Sequence, residues 1–205
     1  MPGPSLITDA LVLRTWPPTD TFQSFTVFTS EHGALRIIQR IPKKPSSAHL
    51  ALDLFDEVSL LLEGAPQGDA WFVKEARLLT RHAGIGRRYE SLLHASAFAT
   101  LVTRNPGPEE SYPSIHALLR TIFAAFATSD RPDIVYLKSL YRFARDEGHP
   151  LKQQWFPALP AADRPLAAAL VNQPLAAQTA APADVARLLR SLEDYLRHHT
   201  EIHLD

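Results

Sequence analysis

The spacing of apolar residues changes near residue 84, and this change constrains the fold more than any other feature of the chain. Before it, apolar residues fall in short runs rich in Val, Ile, Phe and Thr, broken by turn residues. After it, they recur every three to four positions. The first pattern suits strands and the second suits helices. The expected class is therefore α+β, with a strand domain over 1–80 and an all-helical domain over 81–205.

Five strands are expected. Residues 10–13 form a short apolar run before the turn at Trp16-Pro17-Pro18-Thr19-Asp20. Residues 22–29 and 34–40 flank Ser30-Glu31-His32-Gly33, which reads as a hairpin turn because glycine takes positive φ freely. Pro42-Lys43-Lys44-Pro45 cannot lie in a central strand, since proline lacks the amide proton that a ladder needs. Residues 52–62 and 70–76 supply the last two strands. Short strands with turns between them point to a small closed barrel or a sandwich.

Four main helices follow, over 87–104, 114–128, 132–147 and about 183–199. Asn105-Pro106-Gly107-Pro108 ends the first, Pro132 suits the opening turn of the third, and Gly148 with Pro150 stops it. Residues 151–182 are rich in Ala and Pro, with a short helix expected at 161–171.

Composition excludes several classes. The chain of 205 residues has no cysteine, so disulfides, thiolate nucleophiles and cysteine zinc sites are ruled out. Met1-Pro2-Gly3-Pro4 does not resemble a signal peptide, and no apolar run reaches the roughly 18 residues of a membrane span. A cytoplasmic location without membrane contact is expected. No phosphate loop, Walker lysine or nucleophile elbow occurs. His199 and His203 have an i, i+4 spacing that zinc can use, but they lie at the end of the last helix, where histidines also complement the dipole. No catalytic group, metal or cofactor is expected.

With a net charge of -1, any polyanion surface must be a local patch. The sharpest local signal is Arg36, Arg40, Lys43 and Lys44, in a stretch from 36 to 49 without an acidic residue. Arg36 and Arg40 share a face if their strand is unbroken. A second basic run is Arg77, Arg81, Arg87 and Arg88. Phe22, Phe25, Phe28 and Trp71 are expected inside the strand domain, and Trp16 is the better candidate for an exposed ring.

The order of these pieces resembles the RecO family of bacterial recombination and repair mediators. The resemblance rests on Ala10-Leu11-Val12-Leu13-Arg14, the segment from Val27 to Arg36 with Thr29, Glu31, His32 and Gly33, and the basic loop from Arg40 to Ser46. It continues in Leu52-Asp53-Leu54-Phe55-Asp56-Glu57-Val58-Ser59-Leu60, Leu137 through Gly148-His149-Pro150, and the closing helix. It implies an N-terminal five-stranded OB-fold barrel followed by an all-helical domain. It also implies binding of single- and double-stranded DNA, strand annealing, and recombinase loading in DNA damage repair. The implied partners are the tail of single-strand-binding protein and RecR-like mediator proteins, at the nucleoid. Many members carry a four-cysteine zinc site where this chain has Lys152-Gln153-Gln154-Trp155-Phe156, so packing must hold that segment. The candidate nucleic-acid-binding residues are Arg14, Arg36, Arg40, Lys43, Lys44, Arg87 and Arg88. Two alternatives stand beside this reading. One is a RecO-like protein adaptor with little DNA binding, and the other is an unrelated OB-fold protein that binds RNA or a saccharide.

Overall fold

The computed structural model describes residues 3–43, 50–65 and 68–204. Contacts divide the chain into two units. The first runs through His82 and includes Pro106–Arg120; the second holds Ala83–Asn105 and the chain from Thr121 onward.

The first unit is built on β1 (Ser5–Thr15), β2 (Phe22–Thr29), β3 (Gly33–Arg40), β4 (Glu57–Gly64) and β5 (Ala70–Thr80). They close into a barrel in the order β1-β2-β3-β5-β4. All neighbours are antiparallel except β3 and β5, which run parallel. Alternate residues point inward, and Val12, Phe25, Val27, Ile37, Val58 and Leu60 fill the interior. Phe28 is buried as expected, whereas Trp71 packs on this core while only half buried.

Two strands are longer than the apolar runs alone indicate, because β1 and β5 each extend into polar flanking residues. The fourth is shorter. Residues 53–56 form a turn, with the Asp56 amide donating to the Asp53 carbonyl at 3.2 Å and Phe55 at a φ of 66°. A bulky side chain in this region is strained. The turn is held by the buried Asp56 carboxylate, which accepts from the Asp53 amide (2.9 Å) and from Arg81 Nε (2.9 Å) and Nη2 (2.6 Å). Arg81 Nη2 also donates to the Ala51 carbonyl (3.0 Å).

The β2–β3 turn forms as expected. Gly33 sits at a φ of +62°, and a Cβ there would meet the Tyr112 ring at 2.7 Å. Tyr112 also meets Phe28 edge-on. Residues 106–120 are thus seated on the barrel, and Arg120 Nε pairs with the buried Glu57 at 2.6 Å. His116 is buried there, and its Nε2 has no hydrogen-bond partner among the described residues.

The helices are α1 (Tyr89–Arg104), α2 (Tyr112–Thr128), α3 (Pro132–Asp146), α4 (Trp155–Ala158), α5 (Arg164–Asn172) and α6 (Pro182–His199). The boundary between the units falls inside α2. In the second unit α3 packs on α1, α5 and α6. The segment 152–156, which has no cysteine, is held by aromatic packing. Trp155 is buried against Tyr141 and Phe156, its Nε1 donates to Ser191 Oγ (3.2 Å), and Tyr195 OH donates to Gln154 Oε1 (2.6 Å). Among the described residues, no helix is long and apolar enough to cross a membrane.

Asp56→Ala leaves the Arg81 guanidinium and the Asp53 amide without their acceptor. A cost of about 2–3 kcal/mol in urea unfolding is expected, below the range for a fully buried pair because water reaches Arg81. A second expectation concerns pH. Burial lowers the pKa of His116 and His82, with the Arg120 charge adding to the effect and nearby carboxylates opposing it. The unfolded chain therefore binds more protons than the folded one. The stability that depends on neutral histidine is complete above the unfolded value of about 6.5 and is lost as pH falls below it. Thermal midpoints recorded from pH 7.5 down to 5 should fall, and His116→Gln should make that fall shallower.

Candidate nucleic-acid interface

The outer surface of β1, β2 and β3 carries three of the seven predicted cations, Arg14, Arg36 and Arg40. Arg14 lies opposite Thr26, and Thr26 opposite Arg36, so one row of side chains crosses three strands. Arg14 reaches this face through an irregularity. Val12 pairs with Val27 and Arg14 with Thr26, so Leu13 is an extra residue in the ladder. Without the bulge, alternation would place Arg14 on the same side as the buried Val12. Four residues further along β3, Arg40 lies opposite Phe22, and β3 is unbroken from Gly33 to Arg40. Arg36 and Arg40 therefore share the outer face, as their spacing indicates.

Trp16 organises the row. Its indole Nε1 donates to Thr26 Oγ1 (3.2 Å), its amide donates to the Ser24 carbonyl (3.0 Å), and its carbonyl accepts from Gln23 Nε2. The Arg14 guanidinium carbon lies 4.0 Å from the Trp16 ring centroid, and that of Arg36 lies 5.8 Å from it. Both fall within the range of cation–π attraction. Trp16 is half buried beneath them, rather than the freely exposed ring expected.

Phe22 departs from expectation in the other direction. It belongs to the outer face and is 38% exposed. Its ring lies 6.2 Å from that of Phe72 on β5. Alternation explains the pattern: Phe25 and Val27 point inward, whereas Phe22, Ser24 and Thr26 point outward. Composition alone ranked all four aromatics as core because it ignores which side of the pleat each occupies.

Among the described residues, no carboxylate lies within ion-pair distance of Arg14, Arg36, Arg40 or Lys43. Other cations of this unit are engaged: Lys74 with Glu63 (2.6 Å), Arg81 with Asp56 and Arg120 with Glu57. Lys43 is exposed just beyond β3, and Lys44 lies outside the described residues.

The second basic run does not act as one set. Arg81 serves the Asp56 turn, and Arg77 is exposed on β5 opposite Ser59. Arg87 and Arg88 belong to the second unit, where Arg88 Nη1 pairs with Asp130 at 2.6 Å and Arg87 is exposed. At the other end of the chain, α6 stops at His199 and Thr200 is extended, so His199 and His203 do not share a helical face. Among the described residues no group of three His, Asp or Glu could hold a metal ion.

No protein-family model matches the chain, and no curated protein matches it either.

Trp16→Ala removes one hydrogen bond and two cation–π contacts. A loss of about 1–2 kcal/mol is expected in urea denaturation, small because the site is at the surface.

Proposed function

We propose that this chain is a DNA-binding protein of the RecO type, which uses an OB-fold barrel to hold nucleic acid and carries out no bond chemistry. The observation that supports the reading best is the row of Arg14, Arg36 and Arg40 on one barrel face, with no carboxylate partner among the described residues. Salt-bridged arginines are already neutralised; these three are available to phosphate. The closed strand order β1-β2-β3-β5-β4, with β3 and β5 parallel, agrees with an OB-fold, and the outer face of β2 and β3 is where such barrels hold oligonucleotides. Trp16 holds both the Arg14 and the Arg36 guanidinium over its ring before a ligand arrives, which lowers the ordering cost of binding.

Strand annealing, recombinase loading and contact with the single-strand-binding protein tail and RecR-like partners at the nucleoid belong to the same reading. A role as a protein adaptor remains its rival, favoured by the net charge of -1. Fluorescence anisotropy with labelled single-stranded and duplex DNA across a salt series separates the two. The wild type should bind with micromolar or tighter affinity and weaken steeply as salt rises. Arg14→Ala/Arg36→Ala/Arg40→Ala should lower the slope of log affinity against log salt by about one per lost phosphate contact. Absence of wild-type binding at low salt would overturn DNA binding and leave the adaptor.

A further inference from the structure

The barrel has a groove of about 910 Å3 where β3 and β5 diverge. Their pairing covers only Arg36–Ile38 against Ala70–Phe72. The groove is lined by Phe22, Ile38, Arg40, Leu50, Phe72 and Lys74 among others. Its volume lies within the roughly 300–1,000 Å3 of ligand clefts.

The two sides of this groove differ in chemistry. On the β2–β3 side, Arg40 stands opposite Phe22, four residues along β3 from Arg36 and on the same outer face. On the β5 side, Lys74 is neutralised by Glu63, and Glu75 also lines the groove. Positive charge therefore follows the arginines and not β5. Between the two sides stand Phe22 and Phe72, with ring planes tilted by 59°. Phe22 is a large apolar side chain held at the surface although the barrel interior is filled by other residues.

We propose that this groove is a stacking subsite for the bases of unpaired DNA, with the phosphates following Arg40, Arg36 and Arg14 and the bases turned onto Phe22 and Phe72. The proposal rests on the DNA-binding reading of the barrel and adds a preference for the unpaired strand. Every base has a π-face, so stacking on these rings is tolerant of sequence. A duplex keeps its bases in its own stack and offers the groove only its backbone.

The test compares anisotropy titrations of three probes at one salt concentration: an oligothymidylate, an abasic strand of the same length, and a duplex. The wild type should bind oligothymidylate about 10- to 100-fold more tightly than the abasic strand, the loss expected for one or two stacked bases. Phe22→Leu/Phe72→Leu keeps apolar bulk in the groove but removes the rings. It should erase that difference while leaving abasic and duplex affinities and the thermal midpoint unchanged, and Phe72→Trp should keep the difference. Equal wild-type affinity for oligothymidylate and the abasic strand overturns stacking and leaves phosphate binding intact. So does an equal loss on all three probes in the leucine variant. Failure of all three probes to bind at low salt overturns the DNA-binding reading itself. Tighter binding of oligouridylate than of oligothymidylate overturns the assignment to DNA.

Discussion

Three rungs between β3 and β5 close the barrel: Arg36 with Ala70, Ile37 with Trp71 and Ile38 with Phe72. Closure abolishes the sheet edges that an open five-stranded sheet would present. It brings Trp71 onto the core and, one residue later, Phe72 onto the outer face. The contact is also short, so the strands part beyond Ile38 and Phe72 and leave the groove. One interaction thus sets the interior, the position of the aromatic pair, and the space beside the arginines.

A chain with a net charge of -1 can carry a basic face only if its charges are sorted in space. The sorting is visible in the pairing. Buried carboxylates such as Asp56 and Glu57 must be compensated, because an uncompensated charge in the interior is costly. Arg81 and Arg120 meet that need. In the second unit Arg187 lies between Asp163 and Asp184, whose hydrogen bonds raise its pKa well above the usual value. Arginines that anchor the fold are thereby separated from Arg14, Arg36 and Arg40, which have no carboxylate partner among the described residues. Sequence runs do not make this distinction: Arg77 through Arg88 reads as one basic stretch, yet two of its four cations are engaged in ion pairs.

Much of the architecture was legible because periodicity reports burial directly. The switch near residue 84, the Gly33 turn and helices starting at Pro132 and ending at His199 all follow from spacing and turn chemistry. What was not legible depended on register. Arg14 is turned outward by a single extra residue, Leu13, and no apolar pattern marks that bulge. Residue type alone assigns Phe22 to the core, although its spacing from Phe25 places it on the opposite side of the pleat. The turn at 53–56 falls where a strand is expected over 52–62, and besides its local Asp53–Asp56 hydrogen bonds it is fixed by a contact with Arg81, 25 residues away in sequence. Long-range polar contacts leave no local signal.

The stacking of Arg14 and Arg36 on Trp16 bears on how such a face can be stable before it meets a ligand. Like charges on one face repel, and the attraction of each guanidinium for the Trp16 ring offsets part of that cost. The indole is itself fixed by Thr26, the residue between the two arginines in the cross-strand row. Geometry is therefore set from the backbone outward: register places Thr26, Thr26 orients Trp16, and Trp16 holds the guanidiniums. Arg40, further along β3, has no such support among the described residues. The face thus combines two guanidiniums fixed on one ring with an Arg40 that lacks that ring, beside the Phe22 and Phe72 side chains.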